Sequence, residues 1–165
     1  MPEKTTEIED YLNTIDGVRV PSASGKFIES HYPFTGRAWA RIPRCSEADI
    51  DGAVEAAHRA FTSGDWPGLT PTARGKLLRK LGDLITDNAE QLAELEVLDN
   101  GKLIAEMALQ VRYVPEWFYY FGGLADKIEG SVIPVDKPDM FNYTRHEPLG
   151  VIACISFPGM HLCSC

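Results

Sequence analysis

The thiols, imidazoles and clustered charges are the side chains best equipped for chemistry here, and their surroundings in sequence arm few of them. A cysteine reacts as its thiolate, which a neighbouring cation or a helix N-terminus favours and an apolar strand does not. Cys154 lies inside the apolar run Gly150-Val151-Ile152-Ala153-Cys154-Ile155, so it reads as an inert, buried structural cysteine. Cys45 follows Arg44 just ahead of a helix start, a mildly cationic setting, and reads as an ordinary surface or half-buried thiol. His161-Leu162-Cys163-Ser164-Cys165 groups three soft ligands. It lacks the Cys-x-x-Cys pair and the fourth ligand of a zinc site, so no metal is expected there. His31, His58 and His146 have no evident partner for acid–base work, and His58 falls on the polar side of its helix. Glu96, Asp99 and Lys102 sit at a helix end and read as a solvated terminus, not as a charged site.

The elements that must position these residues change in kind along the chain. Val18-Arg19-Val20, residues 26–33 and residues 38–42 read as short strands, with turns at Ser22-Ala23-Ser24-Gly25 and around Pro33, Thr35 and Gly36. Ser46 then caps a helix whose apolar positions are Ile50, Ala53, Val54, Ala57 and Phe61. Asp65-Trp66-Pro67-Gly68 interrupts it. Thr70-Pro71 opens a second helix with the stripe Leu77, Leu78, Leu81, Leu84 and Ile85. A third spans 89–98 and ends at Asn100-Gly101, and a fourth spans 103–126 with Pro115 as a kink or a break. Residues 131–135 and 141–147 read as a hairpin around Asp136-Lys137-Pro138-Asp139. The apolar run at 150–155 suits a strand buried on both faces, as in a parallel sheet.

Composition narrows the function classes. The chain has 165 residues, 16 Lys and Arg against 24 Asp and Glu, and a net charge of −8. That balance argues against sequence-independent nucleic-acid binding, which needs clustered cations, and against anchoring on an anionic membrane. Hydrophobic residues make up 44% of the chain, enough for a core and too much for a disordered tail. No apolar run approaches the roughly 20 residues of a membrane-spanning helix, and the acidic start differs from a secretory signal. Four cysteines, few and unevenly spread, suggest no disulfide framework. The expectation is a cytoplasmic protein with reduced thiols.

Several motifs, taken in order, resemble the aldehyde dehydrogenase superfamily. They are Trp66-Pro67, Arg74 ahead of the leucine-rich helix, Glu96-Val97-Leu98-Asp99-Asn100-Gly101-Lys102, residues 122–130 (Gly-Gly-Leu-Ala-Asp-Lys-Ile-Glu-Gly), and residues 144–151 (Thr-Arg-His-Glu-Pro-Leu-Gly-Val). The likeness covers residues 27–155. It implies an α/β chain, helix-rich, with part of an NAD(P)-binding domain over 1–130 and an oligomerisation hairpin over 131–147. Residues 148–157 would be the first core strand of an unfinished parallel sheet. The family's domain is an atypical Rossmann-like one, so the absence of G-x-G-x-x-G is no objection.

The resemblance also implies a chemistry. In the family a cysteine thiolate attacks the aldehyde, hydride passes to NAD or NADP, a glutamate activates water, and an asparagine helps hold the oxyanion. The cysteine and the glutamate lie beyond the matched region, so no catalytic residue is assigned in this chain. The implied cofactor-lining positions are Ile155, Ser156 and Pro158, and the implied partners are an aldehyde substrate in the parent enzyme and further subunits joined through 131–147. The chain is therefore expected to be a truncated amino-terminal fragment, inactive alone and rich in exposed apolar surface. An interaction fragment that joins full-length subunits through its hairpin is the alternative. A free-standing helical binding module has only its helix content in its favour.

The oxyanion asparagine belongs to a Pro-Trp-Asn segment, where this chain reads Phe157-Pro158-Gly159-Met160-His161. Pro158 through Cys165 can be written with the codons CCT-GGA-ATG-CAC-CTC-TGC-AGT-TG(C/T), and the same letters read from TGG give Trp-Asn-Ala-Pro-Leu-Gln-Leu. Residues 158–165 thus read as a frame-shifted tail. Sequencing the coding DNA from codon 157 onward checks this. A Trp-Asn-Ala-Pro run in a neighbouring frame is expected, and codons that yield none contradict it.

Overall fold

A computed structural model describes residues 8–156. Pro158, the tail over 158–165 and the His161, Cys163 and Cys165 group lie outside the described residues.

The chain opens with five short strands, β1 (Glu9–Asp10), β2 (Asn13–Ile15), β3 (Val18–Val20), β4 (Phe27–Tyr32) and β5 (Arg37–Pro43). β2 and β3 pair antiparallel around Asp16-Gly17, whose φ values of 55° and 74° are the left-handed pair that a tight two-residue hairpin demands. β4 and β5 pair antiparallel, and β1 adds to β5 in parallel, giving the order β1-β5-β4. Opposite one another in that ladder, Asp10 and Arg41 form a two-pronged ion pair at 2.6 and 2.7 Å. The strands expected at 18–20, 26–33 and 38–42 are present. β1 and β2 were not foreseen from the sequence.

Five helices follow: α1 (Glu47–Ser63), α2 (Asp65–Gly68), α3 (Pro71–Asp87), α4 (Ala89–Asn100) and α5 (Ile104–Leu124). Their ends obey the expected local chemistry. The Thr70 hydroxyl accepts the Ala73 N–H at 3.2 Å, Pro71 occupies the first turn of α3, and Gly101 closes α4 in the left-handed conformation. The interruption at 65–68 is itself one helical turn, α2. Pro115 is buried and neither splits α5 nor ends it. Its missing N–H removes one rung, and the packing of Met107, Val111 and Val114 on the same side holds the helix together.

Packing departs from the hydrophobic stripes. The stripe expected to bury α3 is split: Leu77, Leu81 and Leu84 are exposed, while Leu78 and Ile85 are half-buried. α3 instead lies along α5 through glycines. A Cβ at Gly75 would collide with the Gly122 carbonyl oxygen and one at Gly122 would sit 2.9 Å from the Gly75 carbonyl, while a Cβ at Gly82 would sit 2.7 Å from the Tyr119 ring. Tyr119 donates its hydroxyl proton to Asp83 Oδ1 at 2.9 Å, and the Arg79 guanidinium lies 5.6 Å from the same ring. The inner face of α5 then meets α4, where Ala89, Ala93, Met107 and Val111 make a core bordered by Leu92, Val97 and Ala108. Apolar side chains of α1 (Ile50, Val54, Phe61) and of the outer face of α5 remain exposed, which agrees with the expected excess of apolar surface.

Two expectations for the last third change. The 131–147 hairpin forms, but as two-residue strands, β6 (Val132–Ile133) and β7 (Asn142–Tyr143), paired Val132 with Tyr143. The strand expected at 150–155 is not formed: this stretch carries no ladder and Ile155 is 92% exposed. A strand buried on both faces needs neighbouring strands and covering helices, and no described strand pairs with it. The apolar run encodes a strand whose partners these residues do not supply.

Replacing Gly75 by Ala should lower stability by about 1–3 kcal/mol, the cost of overpacking a tight contact. Gly52 of α1 has nothing within 4 Å of its would-be Cβ. Gly52→Ala should therefore gain roughly 0.5–1 kcal/mol from helix propensity alone. Urea unfolding followed by circular dichroism reads both, and equal effects from the two substitutions contradict the packing described.

Candidate functional site

Chemistry-bearing residues of the described chain gather in three places, and two of them are structural. The first is Asp49, near the start of α1. Its carboxylate accepts hydrogen bonds from the Ser46 N–H at 2.7 Å, the Ala23 N–H at 2.8 Å, the Ser22 hydroxyl at 2.8 Å and the Ser46 hydroxyl at 2.8 Å. These donors, led by the Ser46 and Ala23 amides, hold its pKa far below the ordinary carboxylate range. With that many partners the carboxylate is committed to joining the 22–25 turn to α1. The Ser-x-x-Asp spacing at 46–49 signals this arrangement, and reading Ser46 only as a cap missed the connection to Ser22 and Ala23.

The second place is the end of α4. Glu96 is 6% exposed, not solvated as expected, and its Oε2 accepts the Asn100 Nδ2–H at 3.0 Å. Asn100 in turn accepts the Lys102 N–H at 2.8 Å. Asp99 Oδ1 accepts the Ser30 hydroxyl proton at 2.6 Å, and Ser30 Oγ accepts the Trp39 indole N–H at 2.9 Å. This relay ties the β4–β5 sheet to the helices. Asp99 therefore serves attachment, and Glu96 is buried against the end of its own helix, which corrects the reading of a solvated terminus.

The third place is the segment that carries the expected cofactor positions. Ile155 and Ser156 are exposed, and the structure brings no cleft of described residues around them. Cys154, expected to be buried, is exposed too, because the strand that would bury it is not formed. Cys45 is exposed, with its Sγ 3.3 Å from Asn13 Oδ1 and 3.9 Å from the Pro43 carbonyl, neither of which is a base. His31 lies 3.5 Å from Glu29 Oε2 at the surface, and His58 and His146 are exposed. Among the described residues no three His, Cys, Asp or Glu side chains are grouped to hold a metal ion.

A cavity of about 570 Å³ opens at the α3–α4 corner, lined by Thr86, Asp87, Asn88, Glu90, Glu94 and Arg112 among others. The Glu90–Arg112 ion pair spans 3.8 Å within it. None of the expected site residues lines this cavity.

Comparison with known proteins decides the family. The aldehyde dehydrogenase family model matches residues 20–159. The chain belongs to the aldehyde dehydrogenase family. It is 49% identical over 138 residues to (Z)-2-((N-methylformamido)methylene)-5-hydroxybutyrolactone dehydrogenase of Acinetobacter baylyi, covering 80% of this chain and 28% of that protein. It is 42% identical over 137 residues to an aldehyde dehydrogenase of Aspergillus niger, covering 83% of this chain and 27% of that one. Among solved structures, the NAD+ complex of an aldehyde dehydrogenase from Bacillus cereus matches with a TM-score of 0.81 and 40% identity, over 86% of this chain and 29% of that chain. The chain thus spans a little more than a quarter of these family members. A dinucleotide needs a walled cleft, and here Ile155 is 92% exposed with no described residue closing over it. The described residues by themselves do not fit an NAD(P) site.

The Asp49 arrangement gives this part of the fold a defined acid limit. The folded pKa is depressed from an ordinary 3.8, so the stabilisation is complete above that pH and is lost as pH falls below it. Thermal melting between pH 7 and pH 2 should show a steep loss in the acid range. Asp49→Asn should already melt lower at pH 7 and should lose part of that acid slope. An unchanged slope in the variant contradicts the assignment.

Proposed function

We propose that this chain supplies the amino-terminal part of the NAD(P)-binding domain of an aldehyde dehydrogenase, an enzyme that oxidises an aldehyde to a carboxylic acid, and that the 165 residues alone do not catalyse the reaction. One observation carries the reading. The chain reproduces its region of the Bacillus cereus fold at a TM-score of 0.81 while spanning 29% of that chain, and its described residues close no cleft around Ile155 and Ser156. Neither cysteine among the described residues is set beside a base, the arrangement that the thiolate step of covalent aldehyde oxidation calls for.

On this reading residues 148–157 become the first core strand once neighbouring strands offer them a ladder. The strand end is where open α/β sheets bind ligands, which places the backbone of Ile155, Ser156 and Pro158 along the NAD or NADP. The apolar faces of α1 and α3 support it, since they are patterned for covering surface that the described chain lacks. The reading puts the protein in the cytoplasm, where thiols stay reduced. No helix among the described residues is long and apolar enough to cross a membrane.

A second reading rests on the β6–β7 hairpin. Val132, Phe141 and Tyr143 are exposed on a two-stranded ribbon with free edges, a form that joins other chains readily. In it the chain associates with intact subunits of the family without catalysing.

The purified chain, mixed with NAD+ or NADP+ and a panel of aldehydes, should form no reduced nucleotide above background, with an intact family enzyme as control. Sustained production proportional to the 165-residue chain contradicts the proposal. Co-elution with an intact family enzyme that Phe141→Asp and Tyr143→Asp abolish favours the second reading, and no co-elution removes it.

A further inference from the structure

We draw no further inference here: the strongest candidate, the apolar stripe of Leu109, Tyr113, Trp117, Tyr120 and Phe121 on the outer face of α5, is an unpartnered helix face, and nothing in the structure shows what covers it.

Discussion

Two helices can bring their backbones into contact only where neither side presents a Cβ, and α3 and α5 do so at Gly75 and Gly122. Much else in the molecule follows from that approach. It fixes how α5 is turned, so that Met107, Val111 and Val114 face inward while Trp117 and Tyr120 face out. The inward face then meets the small residues Ala89 and Ala93 of α4. The far end of α4 holds the β4–β5 sheet through Asp99, Ser30 and Trp39. A side chain inserted at the glycine contact would push α5 away and loosen each of these in turn.

The same geometry explains why the molecule exposes so much apolar surface. Among the described residues the buried hydrophobic set is small: Ala40, Ala56, Ala89, Ala93, Met107, Val111 and Val114. Burial is worth roughly 25 cal/mol per Å² of apolar area, and alanines contribute little area each. Larger residues such as Leu77, Leu84, Trp117 and Phe121 stay outside. Helices patterned on more sides than this core can use are expected of a chain that spans a little more than a quarter of its relatives. Specific polar ties, at Asp49 and at the end of α4, hold the strand-rich first part in place where packing is thin.

Where local chemistry decides an element, the sequence reveals it. Ser46, Thr70-Pro71 and Asn100-Gly101 mark helix ends by what their side chains and backbones can do within one turn, and the structure keeps all three. Asp16-Gly17 carries an equally local hairpin signal, overlooked because the flanking strands are only three residues each. Hydrophobic periodicity located α3 and part of its inward face, Leu78 and Ile85, but not Gly75 and Gly82, which make the closest contacts although a glycine carries no hydrophobic signal. Glu96 and Asp99 read as solvated because charge favours water, and partners distant in sequence such as Ser30 are invisible to a linear reading. The run at 150–155 has the composition of a buried strand, yet no described strand pairs with it, because a linear pattern does not show whether a ladder partner is present. Ile155 and Ser156, expected at the end of that strand, are exposed for the same reason.

Amide hydrogen exchange read by mass spectrometry tests most directly whether the helices form a self-supporting scaffold beside an unladdered segment at 150–156. Exchange reports local opening, so amides in packed hydrogen-bonded elements outlast those with no partner. The account predicts the slowest exchange around Ala93, Met107 and Val111, intermediate protection in β4 and β5, and unprotected rates over 150–156. Protection at 150–156 comparable with that of α5, or uniformly fast exchange through α3, α4 and α5, would contradict it.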